Sequence, residues 1–169
     1  MLLRHAKSDW SSPGAHDFSR PLSARGNAAA RLMGGYIAHH RLVPDRILCS
    51  PSTRTRETLD AMALPDVDDI VFDNRLYAAA AETILTVIAD KGESAKKLMV
   101  IGHNPGLHEV AKLLIAAGDV GLRERLVEKF STAALAVIDF TAADWSNIHD
   151  HSGRLDRYVT PRSIAAATS

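Results

Sequence analysis

The sequence predicts a three-layer α/β/α sandwich built around a mostly parallel sheet of about six strands. Short apolar runs of strand length alternate with segments of helical periodicity, the order that is typical of a parallel sheet with crossover helices. No linker, repeat or low-complexity stretch interrupts this alternation. We therefore expect residues 1–169 to form a single domain, because a chain of 169 residues is long enough for one real core and short for two.

The strands are predicted from apolar runs that end in turn residues. The first is very short for a central strand, because only Met1 to Leu3 precede Arg4. The remaining strands are predicted at residues 46–50, 70–72, 98–101, 134–140 and 154–159.

The helices are predicted from apolar spacing and from capping residues. The first covers residues 21–41 with Ser23 as its N-cap, and its Gly34-Gly35 pair suggests close packing on the sheet. Ser50 is expected to cap a second helix whose first residue is Pro51, a position where the missing N–H costs nothing. Further helices are predicted at residues 82–90, 105–117 and 122–130.

The composition excludes several classes of protein. Twenty basic and twenty acidic side chains cancel, so the chain lacks the overall positive field of a nucleic-acid binder, and an anionic partner has to be attracted by a local site. No apolar run approaches the ~20 residues of a membrane span, and no basic-then-apolar leader precedes the first strand. The single cysteine, Cys49, is expected to be a buried apolar residue. These features predict a cytoplasmic protein, and the absence of an obvious apolar stripe predicts a monomer.

Three strand-to-helix junctions carry histidine or arginine. Arg4 and His5 follow the first strand, Arg54 lies shortly after the second, and His103 follows the run that ends at Gly102. In an open α/β sheet, ligands bind at the carboxyl ends of the strands, where helix N-termini supply free N–H groups. Arginine adds planar donors that match phosphate oxygens in pairs. The sequence therefore predicts a site for a dianion such as a phosphoryl group.

Two histidines of this predicted site are candidate nucleophiles. Positive charge nearby disfavours imidazolium, so a histidine between arginines is held in its neutral form. A neutral imidazole has a lone pair that can attack phosphorus and form a covalent intermediate. On this chemistry alone, His5 and His103 are equally suitable.

The same motifs resemble those of a known family. Arg4-His5-Ala6 with a following Ser8, Ser50-Pro51-x-x-Arg54-x-x-x-Thr58 and Gly102-His103-Asn104-Pro105 resemble the signature of the histidine phosphatase superfamily, which includes the phosphoglycerate mutases. More narrowly, the chain is similar to the small SixA-type phosphohistidine phosphatases, and the similarity extends over nearly its whole length. The resemblance implies a phosphoglycerate mutase-like fold and catalysis without a cofactor.

The resemblance also implies a role for each site residue. His5 would be the nucleophile that becomes phosphorylated, while Arg4, Arg54 and His103 would bind the phosphoryl oxygens and stabilise the charge of the transition state. Ser8 and Asn104 would be weaker phosphate contacts, the latter through its backbone.

One departure from the family bears on the substrate. In the mutase branch, a glutamate just before an Arg-x-Tyr sequence protonates the leaving alkoxide, and this chain has Asn74 at that position. An alkyl phosphate needs such an acid, worth typically 10²–10⁴-fold in rate, whereas the imidazole of a phosphohistidine is a far better leaving group. We therefore expect cleavage of P–N rather than P–O bonds. Asp73 and Glu82 are the nearby carboxylates that would have to act as the acid for P–O cleavage.

The predicted function is thus hydrolysis of phosphohistidine on a partner protein, with a phosphotransfer protein as the partner that family analogy implies. A small-molecule phosphomonoesterase of the same superfamily is the first alternative, and a mutase or a non-catalytic phosphate-binding module is a further one. No metal site is expected, because the alternating side chains of His149-Asp150-His151 point in opposite directions and have no further ligand cluster.

Overall fold

A computed structural model describes residues 1–11, 14 and 16–167 of the chain. Seven strands form one sheet: β1 (Leu2–Arg4), β2 (Arg46–Cys49), β3 (Ile70–Phe72), β4 (Leu98–Gly102), β5 (Ile115–Gly118), β6 (Leu135–Phe140) and β7 (Gly153–Val159). The helices are α1 (Ala24–His39), α2 (Thr53–Met62), α3 (Ala81–Lys91), α4 (Gly106–Leu114), α5 (Val120–Glu128) and α6 (Pro161–Ala167).

The strand order is β3-β2-β4-β1-β6-β7-β5, which places the three-residue β1 at the centre. The first four strands of this order are mutually parallel, β6 is antiparallel to both of its neighbours, and β5 is parallel to β7. The predicted mostly parallel α/β sheet is therefore confirmed, with seven strands instead of about six.

The additional strand is β5, which overlaps the end of the helix predicted at residues 105–117. That prediction is wrong, since α4 ends at Leu114 and the chain then pairs with β7, where Ile115 lies opposite Gly153. Alanines 116 and 117 favour a helix locally, but the available edge of β7 outweighs that preference. The final helix, α6, was also absent from the sequence-based prediction.

Side chains of successive strand residues alternate between two cores. Leu2, Leu48 and Val100 pack on one face of the sheet with α3 and α4. Leu3, Ile47 and Ile101 pack on the other face with α1 and α2, and Cys49 lies fully buried among them, as predicted. The result is three layers, with the short central strands buried on both faces, as parallel sheets require.

The N-termini of the helices confirm one of the two predicted capping residues. Ser23 is the N-cap of α1 as predicted, because its hydroxyl accepts a hydrogen bond from the Gly26 N–H at 3.0 Å. Ser50 does not cap α2, which begins at Thr53, and its hydroxyl is used elsewhere. Gly34 allows close packing, but against α2 and not the sheet, since a Cβ there would lie 2.0 Å from the Met62 carbonyl oxygen.

Within the described ranges, no helix is long and apolar enough to cross a membrane.

Candidate active site

The carboxyl ends of β2, β4 and β1 lie side by side, so the three junctions singled out in the sequence meet at one edge of the sheet. Arg4 is in register with Gly102, and the His5 N–H donates to the Gly102 carbonyl at 3.1 Å. The Ser50 N–H donates to the Ile101 carbonyl at 3.0 Å. These ladder bonds bring the rings of His5 and His103 to a centroid separation of 5.2 Å.

His5 is held in one tautomer. Its Nδ1 lies 2.7 Å from the Ala6 carbonyl oxygen, and because a carbonyl only accepts, Nδ1 carries the proton and Nε2 keeps its lone pair. Burial, together with the charges of Arg54 and Arg4, lowers the pKa of His5 to about 4, although the Ala6 hydrogen bond acts in the opposite direction. His5 is therefore a neutral imidazole at neutral pH, with an unprotonated Nε2.

His103 is buried beside it and has a different partner. Its Nε2 lies 2.7 Å from the Ser50 hydroxyl, while its buried Nδ1 has no hydrogen-bond partner among the described residues. Burial lowers the pKa of His103 to about 3, with smaller contributions from His5 and Arg54. If the Ser50 hydroxyl donates to Nε2, the proton lies on Nδ1 and can be donated to a ligand.

Arg4 and Asn104 share one anchor, the carbonyl oxygen of Phe130. The Arg4 Nη1 donates to it at 2.8 Å and the Asn104 Nδ2 at 3.0 Å. The Arg4 Nε and the Asn104 Oδ1 remain buried without a partner among the described residues. An unpaired buried polar atom costs about 1–3 kcal/mol, so such atoms at neighbouring positions indicate a site that is completed by a ligand.

Arg54 lies in the first turn of α2 and is buried. Its Nη1 donates to the Asp17 carbonyl oxygen at 2.6 Å, and its Nη2 contacts the Asp17 carboxylate at 3.0 Å. The Tyr77 hydroxyl donates to the same carboxylate oxygen at 2.6 Å. Hydrogen bonding from Tyr77 and from Arg54 lowers the pKa of Asp17 below its ordinary value, so the carboxylate is ionised at neutral pH.

Thr58 connects the His5 turn to the helix that carries Arg54. Its hydroxyl accepts from the Ala6 N–H at 3.0 Å and donates to the Arg54 carbonyl at 2.6 Å. This arrangement explains why the chain has threonine four residues after Arg54. The candidate phosphate contact Ser8 is placed less directly. Ser8 is buried and its backbone pairs with Leu22, but its hydroxyl makes no hydrogen bond within the described part of the chain.

The two helix N-termini at the site start later than predicted. α2 begins at Thr53 and α4 at Gly106, each just after a junction that carries a site residue. Gly106 is required by close approach, because a Cβ there would lie 2.0 Å from the Ala79 carbonyl oxygen. Both helices still point their N-termini at the edge where His5 and His103 meet, so their dipoles favour an anion there.

Comparisons with known proteins identify relatives of this chain by sequence and by fold. The family model of the histidine phosphatase superfamily (branch 1) matches residues 1–82. An uncharacterized protein of Mycobacterium tuberculosis is 35% identical over 163 residues, covering 95% of this chain and 100% of its own. The structure of a candidate phosphohistidine phosphatase SixA from Agrobacterium tumefaciens is 34% identical, with a TM-score of 0.78 over 95% of this chain and 96% of its own.

The chain belongs to the histidine phosphatase superfamily. A second SixA candidate, from Nakamurella multipartita, is 25% identical with a TM-score of 0.82, and a SixA structure with bound tungstate shares the fold at 20% identity and a TM-score of 0.77. The family resemblance predicted from the motifs is confirmed, together with the phosphoglycerate mutase-like fold. Membership of this superfamily supports a phosphatase activity.

The candidate active site contains a carboxylate, Asp17, that the sequence pattern did not indicate. Asp73, one of the two carboxylates considered as an acid, caps Arg75 and forms an ion pair with its side chain at 2.7 Å. Glu82 is exposed in the first turn of α3, and Asn74 is exposed as well. The carboxylate that contacts a site residue is instead Asp17, in the long polar loop after β1.

Asp17 had no sequence signal of its own, since it lies among other polar residues of that loop. Tyr77 ends the Arg-x-Tyr sequence that follows Asn74, but its contact with Asp17 joins positions 60 residues apart. In the His149-Asp150-His151 segment, the His149 ring donates a hydrogen bond to the Asp150 carbonyl at 3.0 Å. No group of three or more metal-ligating side chains occurs among residues 1–11, 14 and 16–167.

Proposed function

We propose that this protein is a phosphatase that transfers a phosphoryl group to Nε2 of His5 and then hydrolyses the phosphohistidine intermediate. The observation that carries the proposal is the tautomer of His5. The Ala6 carbonyl holds the proton on Nδ1, which leaves a lone pair on Nε2 in a buried, cationic site. A pure phosphate-binding module has no need of such a group, so the non-catalytic alternative is disfavoured.

The proposed reaction has two steps. In the first, Nε2 attacks phosphorus, the bond from phosphorus to the leaving group breaks, and the leaving group takes a proton from solvent water. Arg4 and Arg54 donate charged hydrogen bonds to the phosphoryl oxygens, and His103 donates a hydrogen bond to them from its Nδ1. In the second, water attacks phosphorus and gives up a proton to solvent, Nε2 leaves as neutral imidazole, and inorganic phosphate is released. No step needs a metal ion, so a chelator should not lower the rate.

The substrate that we propose is phosphohistidine on a partner protein. Asn74 stands where a mutase has its glutamate, and the neighbouring Asp73 is held by Arg75. Asp17 is ionised through its contacts with Tyr77 and Arg54, so it holds no proton to donate to an alkoxide. A phosphorylated imidazole needs no strong acid, because imidazole is a good leaving group. The likeness to the Agrobacterium tumefaciens SixA candidate supports the same assignment.

A phosphomonoesterase is the second candidate, and the observation that favours it is Asp17. A bound phosphoryl dianion raises the pKa of a neighbouring carboxylate, so Asp17 could hold a proton in the complex. This candidate predicts hydrolysis of alkyl esters that depends on Asp17.

The test is a comparison of kcat/KM on a phosphohistidine peptide, aryl phosphates and alkyl phosphates. We expect the P–N substrate to be fastest, aryl esters slower and alkyl esters slowest, because without an acid the rate follows the leaving group. Alkyl ester hydrolysis as fast as P–N cleavage, lost in Asp17→Asn, would establish the phosphomonoesterase instead. Trapping a base-stable, acid-labile phosphate on the protein, absent in His5→Ala, checks the covalent intermediate.

A further inference from the structure

The anion-binding group of Arg54 is already occupied in the free site. Asp17 takes both of its terminal nitrogens, Nη1 through the carbonyl oxygen at 2.6 Å and Nη2 through the carboxylate at 3.0 Å. A phosphoryl group that approaches the Arg54 Nη2 therefore competes with the Asp17 carboxylate for that nitrogen. The Asp17 side chain is 55% exposed, whereas that of Arg54 is 10% exposed, so the carboxylate is the partner with room to move.

A second arginine lies on the other side of Asp17. The Arg20 side chain is 10% exposed, and its Nε lies 4.0 Å from the Asp17 Oδ1, beyond hydrogen-bond distance. This Nε is buried and has no hydrogen-bond partner among the described residues. The guanidinium is held in place, since its Nη1 donates to the Asp9 carbonyl at 3.3 Å and its Cζ lies 3.8 Å from the centroid of the Trp10 ring.

We propose that Asp17 is a movable counter-ion that pairs with Arg54 in the free site and shifts to Arg20 when a phosphoryl group binds. This inference rests on the proposed function only in requiring that the site binds a phosphoryl group. A shift of about one ångström brings the Oδ1 into hydrogen-bond distance of the unpaired Arg20 Nε. The shift satisfies that buried donor and releases the Nη2 of Arg54 and the hydroxyl of Tyr77 for the ligand.

The exchange makes Asp17 and Arg20 determinants of which anion binds. A weak monoanion does not displace a carboxylate that accepts from both arginine and tyrosine. A phosphoryl dianion brings twice the charge and three acceptor oxygens, so it does. Arg20 acts at a distance, because it stabilises the displaced carboxylate and does not touch the phosphoryl group.

A double-mutant cycle with tungstate as the probe tests the exchange, with binding measured by calorimetry. We expect Asp17→Asn to bind tungstate roughly fivefold tighter than the parent, because the competing charge is gone. Arg20→Gln should bind it roughly fivefold weaker, because the displaced carboxylate has lost its second partner. In the Asp17→Asn background, Arg20→Gln should have little further effect.

The cycle separates exchange from a merely structural role of Arg20. If Arg20 only supports the loop, Arg20→Gln weakens binding equally in both backgrounds, and the proposal is overturned. Unchanged or weaker binding by Asp17→Asn also overturns it. Trp10 gives a second readout, since tungstate should change its fluorescence in the parent but not in Asp17→Asn, with Trp10→Phe as the blank. If the parent binds no tungstate, it is the proposed function that fails.

Discussion

The two walls of the site are built from different parts of the fold. One wall consists of strand ends and carries His5, His103 and Arg4, each of which has one polar atom held by a backbone carbonyl or by the Ser50 hydroxyl. The other wall is the loop after β1, where Asp17 is half exposed and pairs with Arg54 and Tyr77. Burial and fixed partners on the strand wall determine reactivity, because they hold the imidazoles neutral and oriented. On the loop wall, the half-exposed Asp17 carboxylate has room to exchange partners, and this exchange determines which anion binds.

The largest expected effect is on the strand wall, at the nucleophile. His5→Ala should lower kcat by about 10⁴-fold or more, because the covalent route is lost. Tungstate affinity should change far less, since the arginines remain. His39→Ala, an exposed histidine on α1, is the matched control and should keep the parent rate. Full turnover by His5→Ala would remove His5 from the mechanism and end the distinction between the two walls.

The next effect concerns pH and also belongs to the strand wall. The pKa values of His5 and His103 are lowered by burial from 6.5 to about 4 and about 3. Between pH 6.5 and pH 4 the unfolded chain therefore binds more protons than the folded one. The free energy of unfolding should fall as pH falls through this window, by up to about 1.4 kcal/mol per pH unit for each histidine.

Urea unfolding at pH 7, 6 and 5 measures this dependence. The variant with both His5→Gln and His103→Gln should show a flatter profile, because glutamine does not titrate. Titration of the carboxylates changes the free energy of unfolding equally in both proteins, and it does so mainly at lower pH. Equal slopes would mean that the two imidazoles titrate normally in the folded state, and that burial on the strand wall does not control their charge.

A smaller effect is expected at the junction of the two walls. Arg54→Gln should weaken tungstate binding roughly 10- to 100-fold, since it removes charged donors from the anion. Arg56→Gln is the matched control on the same helix, because Arg56 is exposed and stacks on Phe72 with its Cζ 3.9 Å from the ring centroid. Equal affinities for parent and Arg54→Gln would exclude Arg54 from the anion site.

The smallest expected effect concerns Ser50, the hydrogen-bond partner of His103. Ser50→Ala removes the hydroxyl that lies 2.7 Å from the His103 Nε2. We expect kcat to fall roughly tenfold, because a net hydrogen bond contributes about 1 kcal/mol and the tautomer of His103 is no longer fixed. Nitrogen chemical shifts of the His103 ring should show a mixture of tautomers in the variant. One retained tautomer would show that Ser50 does not fix the ring.

Much of this protein followed from local sequence patterns. Alternating apolar runs predicted the layered fold, and a hydroxyl residue before a helix correctly predicted Ser23 as a cap. Histidine and arginine at the ends of parallel strands predicted one shared edge, because parallel strands bring their carboxyl ends together. Family likeness then assigned roles to His5 and Arg54, and those roles remain proposals.

The tertiary structure decided what depends on contacts between distant positions. β5 forms because the edge of β7 is available, which no local preference of Ile115 to Gly118 reveals. Thr58 joins the His5 turn to α2 across 52 residues, and Tyr77 reaches Asp17 across 60. Residue types and their order determined which chemistry is present. Only the folded chain determined which carboxylate meets Arg54, because a loop without periodicity is positioned by the surfaces it contacts.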